Sequence, residues 1–505
     1  MVRGIGNWLV KHSKLRPDRL ALVYNEKRFT YSELNERVNR LSNALISIGV
    51  RKGDRVNVLL FNTNEIVESM FACAKIGAIF VPINFRLSVE EVLYIVNDSR
   101  SYHFIYDVRM KSLVDELRLK ESRLLEYIHV GSDPSEKDSV YEDLIANASN
   151  EEHDYDIRLE DVQMMMYTSG TTGRPKGAML THGNTQWNAI NMIQSIPVDS
   201  MDITLSVAPL FHIGGMSVFT TPLMYKGATI ILEDLFDPSR VLQKIHDERI
   251  TCLFLVPAMW QALTNVEGFE AYDISSLRFA VSGGAPCPIT VIEFFQERGI
   301  PFYEGFGLTE TAPFVSILDK ENTIRKNGSV GKEPIHTNVR IVDPTDRDLP
   351  PGQVGELIVN GPNVMAGYWN KPEDTKQAIK NGWFYTGDLA KFDSEGFIYI
   401  VDRKKDMIIT GGENVYPIEI EQVLYRHPNI KEAAVLGYPD DKWGESIKAV
   451  IALKDISKPL NVHDLEEFLD GKIARFKIPK QVEIVEALPR NATGKILKTV
   501  LRQRV

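Results

Sequence analysis

Short apolar runs alternate with amphipathic stretches along most of this chain, and that alternation constrains the fold more than any other feature. The runs at 55–60 and 78–82 flank a helix-like stretch at 65–76. Runs at 204–208, 229–232 and 252–256 are separated in the same way by helix-like stretches at 216–225 and 238–248. Parallel strands need a long crossover, normally a helix, so this rhythm predicts parallel sheets covered by helices. Upstream, 21–24 and 28–31 read as a hairpin about a turn at 25–27, followed by a helix that begins at Thr30 or Ser32 and stops at Gly49. The stretch 107–156 is more charged and less regular, and no chemistry is assigned to it.

From 328 to 400 the texture changes to short runs with turns at Pro350-Pro351-Gly352, Asn381-Gly382 and Ser394-Glu395-Gly396, which predicts a β-rich subdomain, a distorted barrel. The charged run Asp402-Arg403-Lys404-Lys405-Asp406 is taken as a domain boundary, and two helices near 418–425 and 463–473 mark a small α+β unit beyond it. At 505 residues the chain exceeds what one core supports. The expected class is therefore α/β. Residues 1–402 form a large N-terminal domain of stacked, parallel-rich sheets with the barrel, and residues 403–505 form a small mobile lid.

Chemistry concentrates first at 167–177, Tyr-Thr-Ser-Gly-Thr-Thr-Gly-Arg-Pro-Lys-Gly, directly after the apolar run 162–166. A strand running into such a loop turns backbone N–H groups, hydroxyls and cations toward a polyanion such as a triphosphate. It is not a Walker A loop, because Gly177 follows Lys176 where Ser or Thr is required. A second strand, 279–282, ends in Gly283-Gly284, and ligands of open α/β sheets sit outside the carboxyl ends of strands.

The net charge of −10 argues against nucleic acid as the main partner. Residues 403–505 nevertheless carry +3 against −13 for the rest, which suits a lid closing over phosphates. Cys73, Cys252 and Cys287 lie far apart among apolar or small neighbours and read as buried thiols of a reducing compartment. The first residues lack the apolar region of a signal peptide, and no uninterrupted apolar run reaches the roughly 18 residues of a membrane span. Cytoplasmic residence is the default expectation, with peripheral membrane contact and a homodimer left open.

Five later segments, with the 167–177 loop, resemble the adenylate-forming superfamily of acyl-CoA synthetases, luciferases and nonribosomal adenylation domains. They are Ala208-Pro-Leu-Phe-His-Ile-Gly214, Tyr303-Glu-Gly-Phe-Gly-Leu-Thr-Glu310, Trp383-Phe-Tyr-Thr-Gly-Asp388, Asp402-Arg-Lys-Lys-Asp-Met-Ile-Ile-Thr-Gly-Gly-Glu413 and Pro489-Arg-Asn-Ala-Thr-Gly-Lys495. They occur in the family's order over nearly the whole chain. The resemblance implies ATP, Mg²⁺ and coenzyme A as cofactors and a catalytic set of Lys495, Thr168, Glu310 and His212. Thr168, Ser169, Gly170, Thr171, Thr172, Gly173 and Lys176 would hold the phosphates. Gly284, Ala285, Glu304, Gly305, Phe306, Gly307 and Thr309 would surround the nucleotide. Phe306 stands where the family usually has tyrosine and keeps the face on which adenine stacks. Glu310 and Thr168 would hold Mg²⁺, Asp388 and Arg403 the ribose, and Gly411 and Gly412 the pantetheine of CoA. His212 would lie beside the substrate carboxylate, Lys405 would be the hinge, and Lys495 would bridge carboxylate and α-phosphate.

A carboxylate is a poor acyl donor. Attack on the α-phosphorus of ATP makes acyl-AMP and pyrophosphate, and a thiol then displaces AMP. The expected substrate is a medium- or long-chain fatty acid, with Trp187, Met259, Gly283 and Gly305 as apolar pocket residues. The alternatives are an aryl-acid CoA ligase and a free-standing adenylation domain that loads a carrier protein.

Overall fold

The computed structural model describes residues 3–121, 123–124, 126–132, 138–168, 175–404, 406–410, 413–440, 443–490 and 496–503. The chain divides into two compact units, Met1–Asn338 with Val359–Phe384, and Val339–Ile358 with Tyr385–Val505.

Among the described residues the first unit holds two eight-stranded sheets. One runs in the order Gly367–Tyr368, Lys176–Thr181, Val162–Thr168, Ile79–Pro82, Arg55–Leu59, His103–Asp107, Glu126–Val130, Ser139–Val140. Lys176–Thr181 is antiparallel to both Gly367–Tyr368 and Val162–Thr168, and the strands beyond are parallel. The other runs Phe314–Leu318, Phe302–Gly307, Phe279–Gly283, Cys252–Leu255, Ile203–Ser206, Thr229–Leu232, Leu20–Tyr24, Lys27–Thr30, parallel except at its two ends. The crossover helices Asn64–Ile76 and Pro238–Glu248 fall where the alternation predicts them. The helix Tyr31–Ser47 starts on a capping box in which the Thr30 hydroxyl accepts from the Glu33 N–H and the Glu33 carboxylate accepts from the Thr30 N–H at 2.8 Å.

Two local differences from the sequence reading have physical causes. The charged stretch 107–156 contains the helix Lys111–Lys120 and a further parallel strand, Glu126–Val130, whose apolar pattern Glu126 and His129 interrupt. The helix expected at 216–225 begins at Ile213 and widens to a π-turn over Met216–Thr220, where the Thr220 hydroxyl takes the Gly215 carbonyl at 2.9 Å. The core of the second sheet is centred on fully buried Trp260, packed edge-on against Phe295 and Phe302 with its indole N–H on the Val281 carbonyl at 3.2 Å.

In the second unit Ile430–Asp440 and Gly444–Leu453 form a long antiparallel pair, extended by Ile408–Thr410, Glu413–Val415 and the parallel strand Gln481–Val485. The helices Pro417–Leu424 and Val462–Leu469 bury Ile420, Leu424, Leu465 and Leu469 with Val435, Ile447 and Ile451 of that sheet. Of the 328–400 stretch, short strands form at Asn338–Val342, Gly355–Asn360, Gly367–Tyr368 and Ile379–Lys380, and a ten-residue strand at Trp383–Phe392. Among the described residues no helix is long and apolar enough to cross a membrane.

Candidate active site

In the first unit, Thr168 ends its strand opposite Lys176, which brings together the two ends of the hydroxyl-rich segment. Ser169, Gly170, Thr171, Thr172 and Gly173 lie outside the described residues. The Thr168 hydroxyl donates to Glu310 Oε1 at 3.3 Å, so two motifs 142 residues apart meet at one carboxylate. The Tyr368 hydroxyl donates to the same oxygen at 3.0 Å. Lys176 pairs with Asp374 and lies 5.4 Å from the centre of the Tyr368 ring.

Glu310 sits on the short 3₁₀ turn Thr309–Thr311, directly after the strand Phe302–Gly307 that carries Glu304, Gly305, Phe306 and Gly307. The turn closes onto the strand because Gly307 has no side chain: a Cβ there would meet the Pro313 carbonyl oxygen at 1.8 Å. Gly283 stands opposite Gly305 across the parallel pair, and a Cβ on Gly283 would come within 3.0 Å of the Gly305 oxygen. Gly284, at φ +85°, and Ala285 follow as exposed backbone. These glycines leave bare main chain at the carboxyl ends of adjacent strands, where a flat ligand can lie.

Glu304 is buried beneath that loop. Its Oε2 accepts the Cys287 N–H at 3.0 Å, Oε1 has no hydrogen-bond partner among the described residues, and burial pushes its carboxyl up to about 7. A carboxyl raised this far is protonated in the fold and ionised in the unfolded chain between the ordinary carboxylate value and pH 7, so its contribution to stability falls as pH rises through that window. Glu304→Gln removes the titration. The melting temperature of the variant relative to the native protein is expected to rise from pH 5 to pH 7.5, and a gap that does not change with pH would rule this out.

His212 directly precedes the helical turn Ile213–Gly215, with no side-chain cap, and is partly buried. Desolvation, then the nearby Arg86 charge, lowers it to about 4, so the imidazole is neutral at ordinary pH. A row of rings runs on from it: Phe211 at 5.5 Å, then Phe85 edge-on to Phe211 at 5.2 Å, then Phe61 stacked on Phe85 at 4.1 Å. Trp187 lies on His182–Ser195 with its ring 5.0 Å from His336, and Met259 packs against the core of the second sheet.

In the second unit Asp388 and Arg403 face each other on paired strands and form an ion pair at 2.6 Å, with Asp388 buried. Arg403 also donates to the Thr386 carbonyl at 3.2 Å. Lys405, Gly411, Gly412 and Lys495 lie outside the described residues. The residues flanking Lys405 are tied down: Lys404 reaches Glu356 at 2.8 Å, and Arg502 reaches Asp406 at 2.7 Å. Asp402 accepts from the Ile418 N–H at 3.1 Å and is raised to about 6 by burial.

Sequence reasoning did not find Tyr368, because nothing in Gly367-Tyr368-Trp369 marks a site locally; its contact with Glu310 exists only in three dimensions.

A strand-ended hydroxyl and a carboxylate thus meet beside bare strand-end backbone, and comparison with known proteins gives the family. The family described as AMP-binding enzyme matches residues 9–369, and the AMP-binding enzyme C-terminal domain matches 419–495. The chain belongs to this AMP-binding enzyme family. It is 41% identical to a feruloyl-CoA synthase of Amycolatopsis sp. over 99% of each chain, and 37% identical to an indoleacetate–CoA ligase of Aromatoleum aromaticum over 99% of this chain and 98% of that one. The solved o-succinylbenzoate CoA synthetase of Bacillus subtilis, bound to its acyl-adenylate intermediate, superposes with a TM-score of 0.87 at 34% identity and 98% coverage of each chain. The same synthetase has been solved with ATP and magnesium ion.

Proposed function

We propose that this chain is an AMP-forming CoA ligase for an aryl carboxylic acid. It uses ATP, Mg²⁺ and CoA. The observation that carries the reaction class is the meeting of Thr168 and Glu310 on one carboxylate oxygen at the end of the strand. The acid class rests on the aryl acids named in the relatives, which replace the fatty acid expected from the sequence.

The donor set fits Mg²⁺ that arrives on phosphates. Among the described residues there is no cluster of three or more His, Cys, Asp or Glu, and a cation that keeps its waters needs only one or two carboxylates. Glu310 would hold it with Thr168, and the ion would neutralise charge on the triphosphate. The chain's own groups do the rest. The strand-end glycines admit the base, with Phe306 against adenine. Asp388 takes the ribose hydroxyls, steadied by Arg403. Neutral His212 borders the acid without adding charge. Lys495 would supply a point cation where negative charge gathers between carboxylate and α-phosphate, with Lys405 as the hinge; the CoA thiol then attacks the acyl carbon of the adenylate and AMP leaves, with Gly411 and Gly412 against the pantetheine.

Pyrophosphate release should be measured over aryl acids of varied linker length and straight-chain acids of graded length, with and without CoA. An arylpropenoic or arylacetic acid is expected to give the highest rate, with sustained turnover only when CoA is present. A straight-chain acid as best substrate would restore the fatty-acyl reading, and turnover indifferent to CoA would point to a carrier-protein thiol. If no acid releases pyrophosphate, the ligase assignment fails.

A further inference from the structure

Glu310 is gripped from its backbone to its side chain by one short segment, 361–369. The Met365 N–H donates to the Glu310 carbonyl at 2.8 Å. Asn363, fully buried, donates its amide to the Thr311 and Phe314 carbonyls, each at 2.8 Å, and accepts from the Thr337 hydroxyl at 3.1 Å. At the far end Tyr368 donates its hydroxyl to Glu310 Oε1. The segment is itself anchored. Asn184 donates to the Pro362 and Val364 carbonyls at 2.9 and 2.8 Å, the Ala366 N–H reaches the Met179 carbonyl at 3.0 Å, and Gly367–Tyr368 pairs with Lys176–Thr181.

The geometry of the carboxylate gives this grip a purpose. Both hydroxyls, from Thr168 and Tyr368, converge on Oε1, and among the described residues no hydrogen bond falls on Oε2. Two donors on one oxygen fix the rotation of the carboxylate, and hydrogen bonds to an ionised acceptor are the stronger kind. We infer that Tyr368 is a positioning residue for Glu310: by loading Oε1 it turns Oε2 toward the metal-bearing phosphates. This rests on the metal role given to Glu310 above. The Tyr368 ring also lies beneath the Lys176 ammonium, and Lys176 is paired with Asp374, so the same tyrosine joins the carboxylate to the return strand after Thr168. A ligating carboxylate held by outer partners in this way binds its cation more tightly than a free-swinging one.

The test is calorimetric titration of ATP in the absence of any acid, with Mg²⁺ or with a chelator, for the native protein, Tyr368→Phe, Glu310→Gln and the double variant. Tyr368→Phe removes one oxygen and leaves the ring in place. It is expected to weaken Mg-ATP binding about tenfold, the scale of one hydrogen bond to a charged group, and to leave metal-free ATP binding unchanged. In the Glu310→Gln background the same change should add nothing, because coupled groups are non-additive. Equal weakening with and without Mg²⁺, or simple additivity in the double variant, would overturn the positioning role. If Glu310→Gln itself binds Mg-ATP normally, the metal role of Glu310 fails; if only Tyr368→Phe is silent, that role stands and the inference alone is lost.

Discussion

Lys495→Ala is expected to slow acyl-AMP formation by about a thousandfold, the cost of removing one charge-stabilising donor from a displacement of this kind. The same variant, given preformed acyl-AMP and CoA, is expected to make thioester at close to the native rate. The split follows from two half-reactions with opposite needs. The first accumulates negative charge between the carboxylate and the α-phosphate, and a compact ammonium meets it there. The second has only to bring a thiol to an activated acyl group. Measuring pyrophosphate release and thioester formation separately decides the matter: equal losses in both would make Lys495 a structural residue of 403–505 and would remove the lid from the mechanism.

Glu310→Ala is the second large effect, about a hundredfold in kcat/KM for Mg-ATP, and it should grow as Mg²⁺ is lowered. The carboxylate is partly buried, with two hydroxyls converging on it, so alanine both deletes a charge and leaves the Thr168 and Tyr368 donors without their acceptor. Glu310→Gln keeps the shape and loses the charge. A loss shared by both variants and deepened at low Mg²⁺ assigns the effect to the metal-bearing nucleotide. Normal pyrophosphate release from Glu310→Ala at low Mg²⁺ would take this residue out of the site.

The fold was legible wherever apolar periodicity was clean. The helix Pro238–Glu248 and the strand Thr229–Leu232 fall at the expected residues, because each is bounded by an unambiguous signal: Asp237 and a proline at the start of the helix, and Gly227 before the strand. Glu126–Val130 was not legible, since charged and polar residues share its pattern and its membership in the sheet is fixed only by pairing with His103–Asp107. The π-turn at Met216–Thr220 has the same character: it follows from a hydroxyl that reaches back to Gly215, not from a propensity.

The candidate site divides along similar lines. Thr168, Glu310, Asp388 and Arg403 were named from motifs, and the structure brings them together as two pairs, one in each unit. Tyr368 and Asn363 come from a stretch with no local mark, and they act across separations of 58 and 52 residues. The row of Phe211, Phe85 and Phe61 beside His212 was not legible either, because ring order along the chain does not reveal ring order in space.

Cys73, Cys252 and Cys287 are buried and unpaired, and burial pushes all three thiols well above their ordinary range. Thiolate is the reactive form, so the folded protein is expected to react slowly with colorimetric disulfide reagents and alkylators. Consumption of free CoA can therefore be followed directly with such a reagent, and any slow rise in protein-derived signal becomes an internal gauge of how much enzyme has opened during the assay.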